Sequence, residues 1–293
     1  MKVNLPKGSY VVAVSGGVDS VVLLHLMARQ PQLDLVVAHF DHGIRPDSHT
    51  DRQFVADLAH AYGIPFVSAK GQLGAAASEA VAREARYAFL REVQHAHGAR
   101  AIVTAHHQDD VLETAILNLL RGTGRKGLTS LQTTDEIVRP LLAYDKQLIR
   151  SYAVEHGLTW REDSTNSQTR YLRNYIRHHV LPKLTPNQRA ELLHLLERQR
   201  SVNAQLDALL LQRLEPPVER LQRGWFISLP HAIATETMAS WLRVNGIRDF
   251  DKATIERAVI GSKTARVGKK IALKHHWTID VGTDFLALVL LER

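Results

Sequence analysis

The chain has 293 residues, enough for about two domains, and carries 37 Lys+Arg against 30 Asp+Glu, a formal charge of +7 that suits a polyanionic partner. Its 45% hydrophobic content is ordinary for a globular protein; no apolar run reaches the ~18 residues of a membrane span, and the start MKVNLPKGSY has no secretory apolar region, so a cytoplasmic location without membrane association is expected. The absence of cysteine excludes disulfides, thiolate zinc sites and sulfur transfer on a cysteine.

The first part of the chain alternates strands and helices. Tyr10–Val14 is rich in β-branched residues and reads as a buried parallel strand, followed by the turn Ser15-Gly-Gly-Val-Asp-Ser20 and a helix through Met27. Leu33–His39 reads as a second strand, Asp51–Tyr62 as a helix, Ile64–Ser68 as a short strand and Ser78–Ala96 as a long helix with a serine N-cap. Ala99–Ala105 is a further strand and Asp110–Arg121 a further helix. This alternation predicts an α/β domain with a doubly wound, mostly parallel sheet, whose ligands sit beyond the carboxyl ends of the strands.

Near residue 185 the pattern changes. Thr185-Pro186 is a helix start, and an amphipathic helix runs to about Leu214 before Pro216-Pro217. Helices around Thr235–Val244 and Asp251–Val259, with strand-like runs at Trp225–Leu229, Lys270–Leu273 and Phe285–Leu291, predict a small α+β domain. The expected organisation is a catalytic domain over 1–184, a helical linker over 185–215 and a small C-terminal domain over 216–293.

A strand, a glycine turn and a helix start together form an anion site, because the helix-start N–H groups and dipole face the turn. Gly16 and Gly17 permit close backbone approach, and Ser15 and Ser20 offer hydroxyls. The turn lacks the lysine of the GxxxxGK[ST] loop and carries Asp19 instead, a carboxylate that repels phosphate unless Mg²⁺ lies between them. The alternative is an ordinary strand-to-helix turn. Phe40-Asp-His-Gly-Ile-Arg45 follows strand two; His42 and Arg45 are nucleotide candidates there, although His42 serves equally well as a cap or packing residue.

Thr104-Ala-His-His-Gln-Asp-Asp-Val-Leu-Glu-Thr114 places Asp109, Asp110 and Glu113 at a strand end and a first helical turn, with Asp110 and Glu113 on one face. Like charges this close raise each other's pKa unless a cation neutralises them. Helix capping explains one or two acids; a His106-His107-Asp109 transition-metal site is disfavoured because adjacent histidines at a strand end point apart. Mg²⁺ and a cationic amine account for the set better. Arg121-Gly-Thr-Gly-Arg-Lys-Gly-Leu128 is either a mobile phosphate-closing loop or a solvated turn. Between Gln168 and Arg200 there are seven basic and two acidic residues, with Tyr171 and Tyr175 among them, a composition that suits single-stranded RNA or a solvated helix face.

The turn SGGxDS after the first strand resembles the pyrophosphate loop of the N-type ATP pyrophosphatases. The ordered set SGGVDS, FDHGIR, Glu79–Tyr87, TAHHQDDVLET, RGTGRKGL, RPLL, WREDSTN and RNYIRHHVLP, over residues 9–183, resembles the tRNA(Ile)-lysidine synthetases, and the length resembles their short form. The resemblance implies an ATP-dependent ligation of lysine to the wobble cytidine of a CAU-anticodon tRNA(Ile), through an adenylated cytidine. It implies ATP contacts from Ser15, Gly16, Gly17, Val18, Asp19, Ser20, His42, Arg45 and His106, and Mg²⁺ on Asp19 and Asp109. It also implies free L-lysine on Asp110 and Glu113, catalysis by these four acids, and tRNA contacts from Arg83, Arg86, Arg121, Arg173 and Arg177. A homodimer is compatible with the sequence. The rival readings are a tRNA thiolase, which lacks a cysteine carrier here, an ammonia-using synthetase, and a non-catalytic nucleotide-regulated RNA binder, which would have no need of all four acids.

Overall fold

A computed structural model describes residues 1–43, 48–71, 79–162, 172–214 and 219–291. Contacts divide the chain into two compact units, Met1–Glu197 and Arg198–Arg293. In the first unit, β1 (Gly8–Ala13), β2 (Leu33–Asp41), β3 (Phe66–Lys70), β4 (Ala101–Val103) and β5 (Ile137–Val138) form one sheet in the order β3-β2-β1-β4-β5. Every neighbouring pair is parallel. The helices between them are α1 (Val18–Ala28), α2 (Ser48–Ala61), α3 (Glu79–Ala96), α4 (Gln108–Leu120) and the single turn α5 (Arg125–Leu128). After β5 come α6 (Lys146–Glu155) and α7 (Leu172–Tyr175), the latter continuing into a π-helical turn over Ile176–Val180. The doubly wound parallel sheet is therefore as the sequence predicts.

Strand alternation explains the continuous apolar runs. Val12, Val37 and Val103 turn to one face, where Leu23, Leu24 and Met27 of α1 and Ile149 of α6 cover them. Val11, Val36 and Ile102 turn to the other, under Tyr87, Leu90 and Val93 of α3. Both faces are buried, so no polar alternation survives in the sequence. Each fully buried aliphatic side chain contributes roughly 1.5–3 kcal/mol. A third cluster joins Leu112 and Leu117 of α4 to Ile176 and Leu181, fixing the π turn against the start of α4.

The strand order carries the functional consequence. From β1 the chain winds outward through β2 to β3, then returns across α3 to the opposite side of β1 and continues through β4 to β5. The direction of winding reverses between β1 and β4, and the crevice at their carboxyl ends is the expected ligand position. The segments that follow these two strands are Ser15–Ser20 and Thr104–Asp110.

Helix α8 (Pro186–Leu214) begins with a reciprocal cap: the Gln188 N–H donates to Thr185 Oγ1 (3.2 Å) and the Thr185 N–H to Gln188 Oε1 (2.9 Å). It runs through the division between the two units. The second unit contains β6 (Arg220–Gln222), α9 (Arg223–Ser228), α10 (His231–Val244), α11 (Lys252–Thr264), β7 (Lys270–Ala272), β8 (Trp277–Val281) and β9 (Phe285–Leu290). Its antiparallel sheet has the order β6-β9-β8-β7, with a core around Trp241, Phe226, Met238, Ile279 and Leu286. The predicted strand at Trp225–Leu229 is instead the helix α9. A run of five residues, four of them apolar, fits either period, and burial of Phe226, with an Arg223 guanidinium that donates to Gly282 O and Ala265 O, selects the helix.

Candidate active site

Ser15–Ser20 leaves β1 as a closed turn. Gly16 takes φ +94°, where an L side chain is strained, and a Cβ there would contact Phe54 and Val55 at 3.5 Å. The Ser20 hydroxyl donates to Gly17 O (2.8 Å) and accepts from the Ser15 N–H (3.2 Å). Gly17 N-caps α1 without a side-chain cap; its own N–H donates to Ser15 Oγ (3.4 Å) and the Ser20 N–H to Gly17 O (3.1 Å), so no side chain takes up the remaining first-turn donors. Val18 and Ser20 are buried, while Asp19 projects from the first turn. The Arg161 N–H donates to Gly16 O (2.9 Å), and its guanidinium reaches Thr50 Oγ1 and Asp51 Oδ1 (2.8 and 3.2 Å), which ties the WRE segment to this turn.

Beyond β4, His107 N-caps α4. Its Nδ1 accepts from the Asp109 N–H (3.3 Å) while Asp110 Oδ2 accepts from the His107 N–H (2.8 Å), a reciprocal box. With Nδ1 accepting, the ring proton lies on Nε2, which faces Asp110 Oδ2 at 3.5 Å and Asp19 Oδ1 at 3.8 Å. His107 thus bridges the two strand ends. His106 turns elsewhere, its Nδ1 2.8 Å from Thr104 Oγ1. Among the described residues no group of three or more His, Asp or Glu is arranged to hold a metal ion.

Each of the four acids meets an internal cation. Lys146 Nζ donates to both oxygens of Asp19 (2.7 and 2.6 Å). Arg189 lies 3.2 Å from Asp109. Arg177, on the π turn, donates through Nε and Nη2 to the two oxygens of Glu113 (2.6 and 2.8 Å) and approaches Asp110 at 3.5 Å. Glu113 is completely buried and Asp110 nearly so. Burial pushes the Glu113 carboxyl up, against the pull of its Arg177 bonds. Burial would raise Asp110 too, but His107, His106, the His107 N–H and Arg177 together hold it below its usual value. Burial, with Arg139, Arg86 and Arg83 nearby, drives His106 down to about 3 despite Asp110.

The remaining candidates lie at varying distances from this centre, and Arg121 stands at the opposite end of α4. Arg83 and Arg86 stack near Tyr87, 4.8 and 5.4 Å from its ring centre. Arg173 lies on α7, and Arg121 is exposed as the C-cap of α4. His42 packs edge-on to Phe40 at 5.1 Å. Arg45 lies outside the described residues, as do 163–171, which contain most of WREDSTN. The segment after Arg121 is a held turn: Asn118 Nδ2 donates to Gly127 O (2.7 Å) and Ser130 Oγ (3.1 Å). Lys146, Arg189, His107 as a bridge and Arg161 were not legible as site residues; Asp145, which caps α6 by accepting from the Leu148 N–H (2.7 Å), marks the helix start at Lys146 but not its contact with Asp19.

Residues 2–184 match the family model described as a PP-loop domain. The chain belongs to this PP-loop family. Over 186 residues it is 46% identical to a tRNA(Ile)-lysidine synthase of Thermus thermophilus, covering 61% of this chain and 36% of that one. It is 39% identical to that of Geobacter sulfurreducens (75% and 50%) and 33% identical to that of Alkalilimnicola ehrlichii (87% and 60%). The resemblance read from the motifs is thus borne out, and this PP-loop chain spans from about a third to three-fifths of the length of these relatives. Among solved structures, the U34-tRNA thiolase NcsA from Methanococcus maripaludis with its 4Fe-4S cluster matches with TM-score 0.51 at 16% identity, over 66% of this chain and 73% of that chain, a likeness of fold. Among the described residues no helix is long and apolar enough to cross a membrane.

Proposed function

We propose that this PP-loop protein uses ATP to join free L-lysine to the wobble cytidine of a CAU-anticodon tRNA(Ile), as the names of its relatives suggest. The observation that carries the reading is the convergence of the uncapped SGGVDS helix start and four acids at the switch point between β1 and β4. The cytidine 2-oxo group attacks the α-phosphorus, pyrophosphate leaves, and the lysine ε-amine then displaces AMP from the activated ring carbon while losing a proton.

The chain's own groups suit these steps. Ser15, Gly16, Gly17 and Val18 would offer donors to phosphate from a turn that Ser20 holds closed through Gly17 O, and His42, Arg45 and His106 are the further nucleotide candidates. Mg²⁺ binds in nucleotide sites through one or two carboxylates plus phosphates, so Asp19 and Asp109 suffice without a preformed cage. It would supply neutralisation of the departing pyrophosphate. Asp110 and Glu113 now hold the cationic Arg177, which is the charge complement a lysine ammonium also needs; a carboxylate there accepts the proton released on attack. Arg83, Arg86 and Arg173, near His106 or Glu113, would offer positive charge to the anticodon loop, whose target base is splayed out, and Arg121 would add a cation from the far end of α4. Arg177 joins them when released. Residues 216–293 form a further candidate tRNA contact. The thiolase alternative has no sulfur carrier in a chain without cysteine.

The test is incubation with ATP, Mg²⁺, labelled lysine and the CAU-anticodon tRNA(Ile). Label should enter the tRNA, and Glu113→Gln should raise the lysine concentration required while leaving ATP binding intact. No label with wild-type protein overturns the reading.

A further inference from the structure

Lys146 stands outside every motif, yet its ammonium meets both oxygens of Asp19 from 127 positions away in sequence. Its own element does not favour it: Lys146 is the first residue of α6, where the helix dipole disfavours a cation. The contact is also a poor structural staple. The side chains of Lys146 and Asp19 are 37% and 25% exposed, and a pair so open to water contributes little to stability. By contrast Arg177 clamps a carboxylate with no exposure at all.

What Lys146 does have is position. The SGGVDS turn presents neutral groups, the Ser15 hydroxyl and the backbone N–H groups of the helix start, together with one carboxylate, while the Ser20 hydroxyl is spent on Gly17 O. It lacks the lysine with which the GxxxxGK[ST] loop reaches terminal phosphates. Arg161, another cation at this turn, is engaged with Thr50 and Asp51. Lys146 places an ammonium on the exposed side of the turn, on a four-carbon stem whose rotations swing it by several ångströms.

Resting on the nucleotide reading above, we infer that Lys146 is the phosphate-binding lysine of this loop, supplied from α6. It neutralises Asp19 while the turn is empty and transfers to the β- and γ-phosphate oxygens when the triphosphate arrives. Asp19 is thereby released at the moment phosphate enters.

Calorimetric titration of wild type, K146M and K146R with ATP, inorganic pyrophosphate and AMP, all with Mg²⁺, tests this. A charge-supported hydrogen bond corresponds to roughly 10- to 100-fold in affinity. K146M should lose about that factor for ATP and pyrophosphate but bind AMP as wild type does, and K146R should recover most of the loss. Unchanged ATP affinity in K146M overturns the inference, as does a parallel loss for AMP, which would mean that the turn itself was rebuilt. Wild-type protein that binds none of the three ligands defeats the nucleotide reading; wild-type binding indifferent to residue 146 defeats this inference alone.

Discussion

The two units treat charge in opposite ways. Among the described residues, Met1–Glu197 buries Asp41, Asp110, Glu113 and Arg139, whereas the buried polar residues of Arg198–Arg293 are Asn203, Thr237, Ser240, Thr254, Ser262 and Thr278, all uncharged. The second unit keeps ion pairs such as Lys274–Asp249 and His275–Asp249 where both partners are well exposed. Removing charge from water costs more than an ion pair usually returns, so a buried pair is weak as a stabiliser. Acids buried at the strand ends of one unit and absent from the core of the other therefore mark where chemistry, rather than folding, dictates the residues.

If that contrast is correct, substitutions should separate stability from ligand binding. Trp241→Ala should cost about 3–5 kcal/mol by leaving a cavity in the apolar core, with nucleotide affinity unchanged in the folded protein. Arg177→Met should cost about 3 kcal/mol, toward the lower end for breaking a buried pair because a third of Arg177 is exposed. The Arg177→Met loss should grow as pH rises, since Glu113 escapes the cost by staying protonated in acid. Denaturant melts at several pH values check both variants; equal pH dependence in the two would erase the contrast.

A smaller effect comes from His106. Its folded pKa of about 3 lies below the ordinary 6.5, so the neutral ring is the form the fold favours. The resulting stabilisation is complete above pH 6.5 and is lost as pH falls from there toward 3, because the unfolded chain takes up the proton first. His106→Gln should flatten the acid limb of the stability profile over that window. An identical slope in wild type and variant would remove this histidine from the explanation.

How much of this could be read without coordinates depended on sequence distance. Buried parallel strands are continuous apolar runs, and the glycines of SGGVDS and the acids of HHQDDVLE declare themselves within one helical turn. β5 has only two residues, too few to show a period, and the apolar run at Trp225 fitted strand and helix alike. The cations were hidden for a different reason. Lys146 meets Asp19 across 127 residues and Arg177 meets Glu113 across 64, and neither side chain is distinguishable locally from a solvated one. Arg177, assigned to RNA from the charge of its segment, is held by two acids through a π turn that no propensity signals.

Co-crystallisation with Mg²⁺ and a non-hydrolysable ATP analogue probes the site most directly. The α-phosphate should lie against Gly16 and Gly17, with the metal shared between phosphate oxygens and the carboxylates of Asp19 and Asp109. A triphosphate bound away from the β1–β4 crevice, with those carboxylates uninvolved, would contradict the assignment.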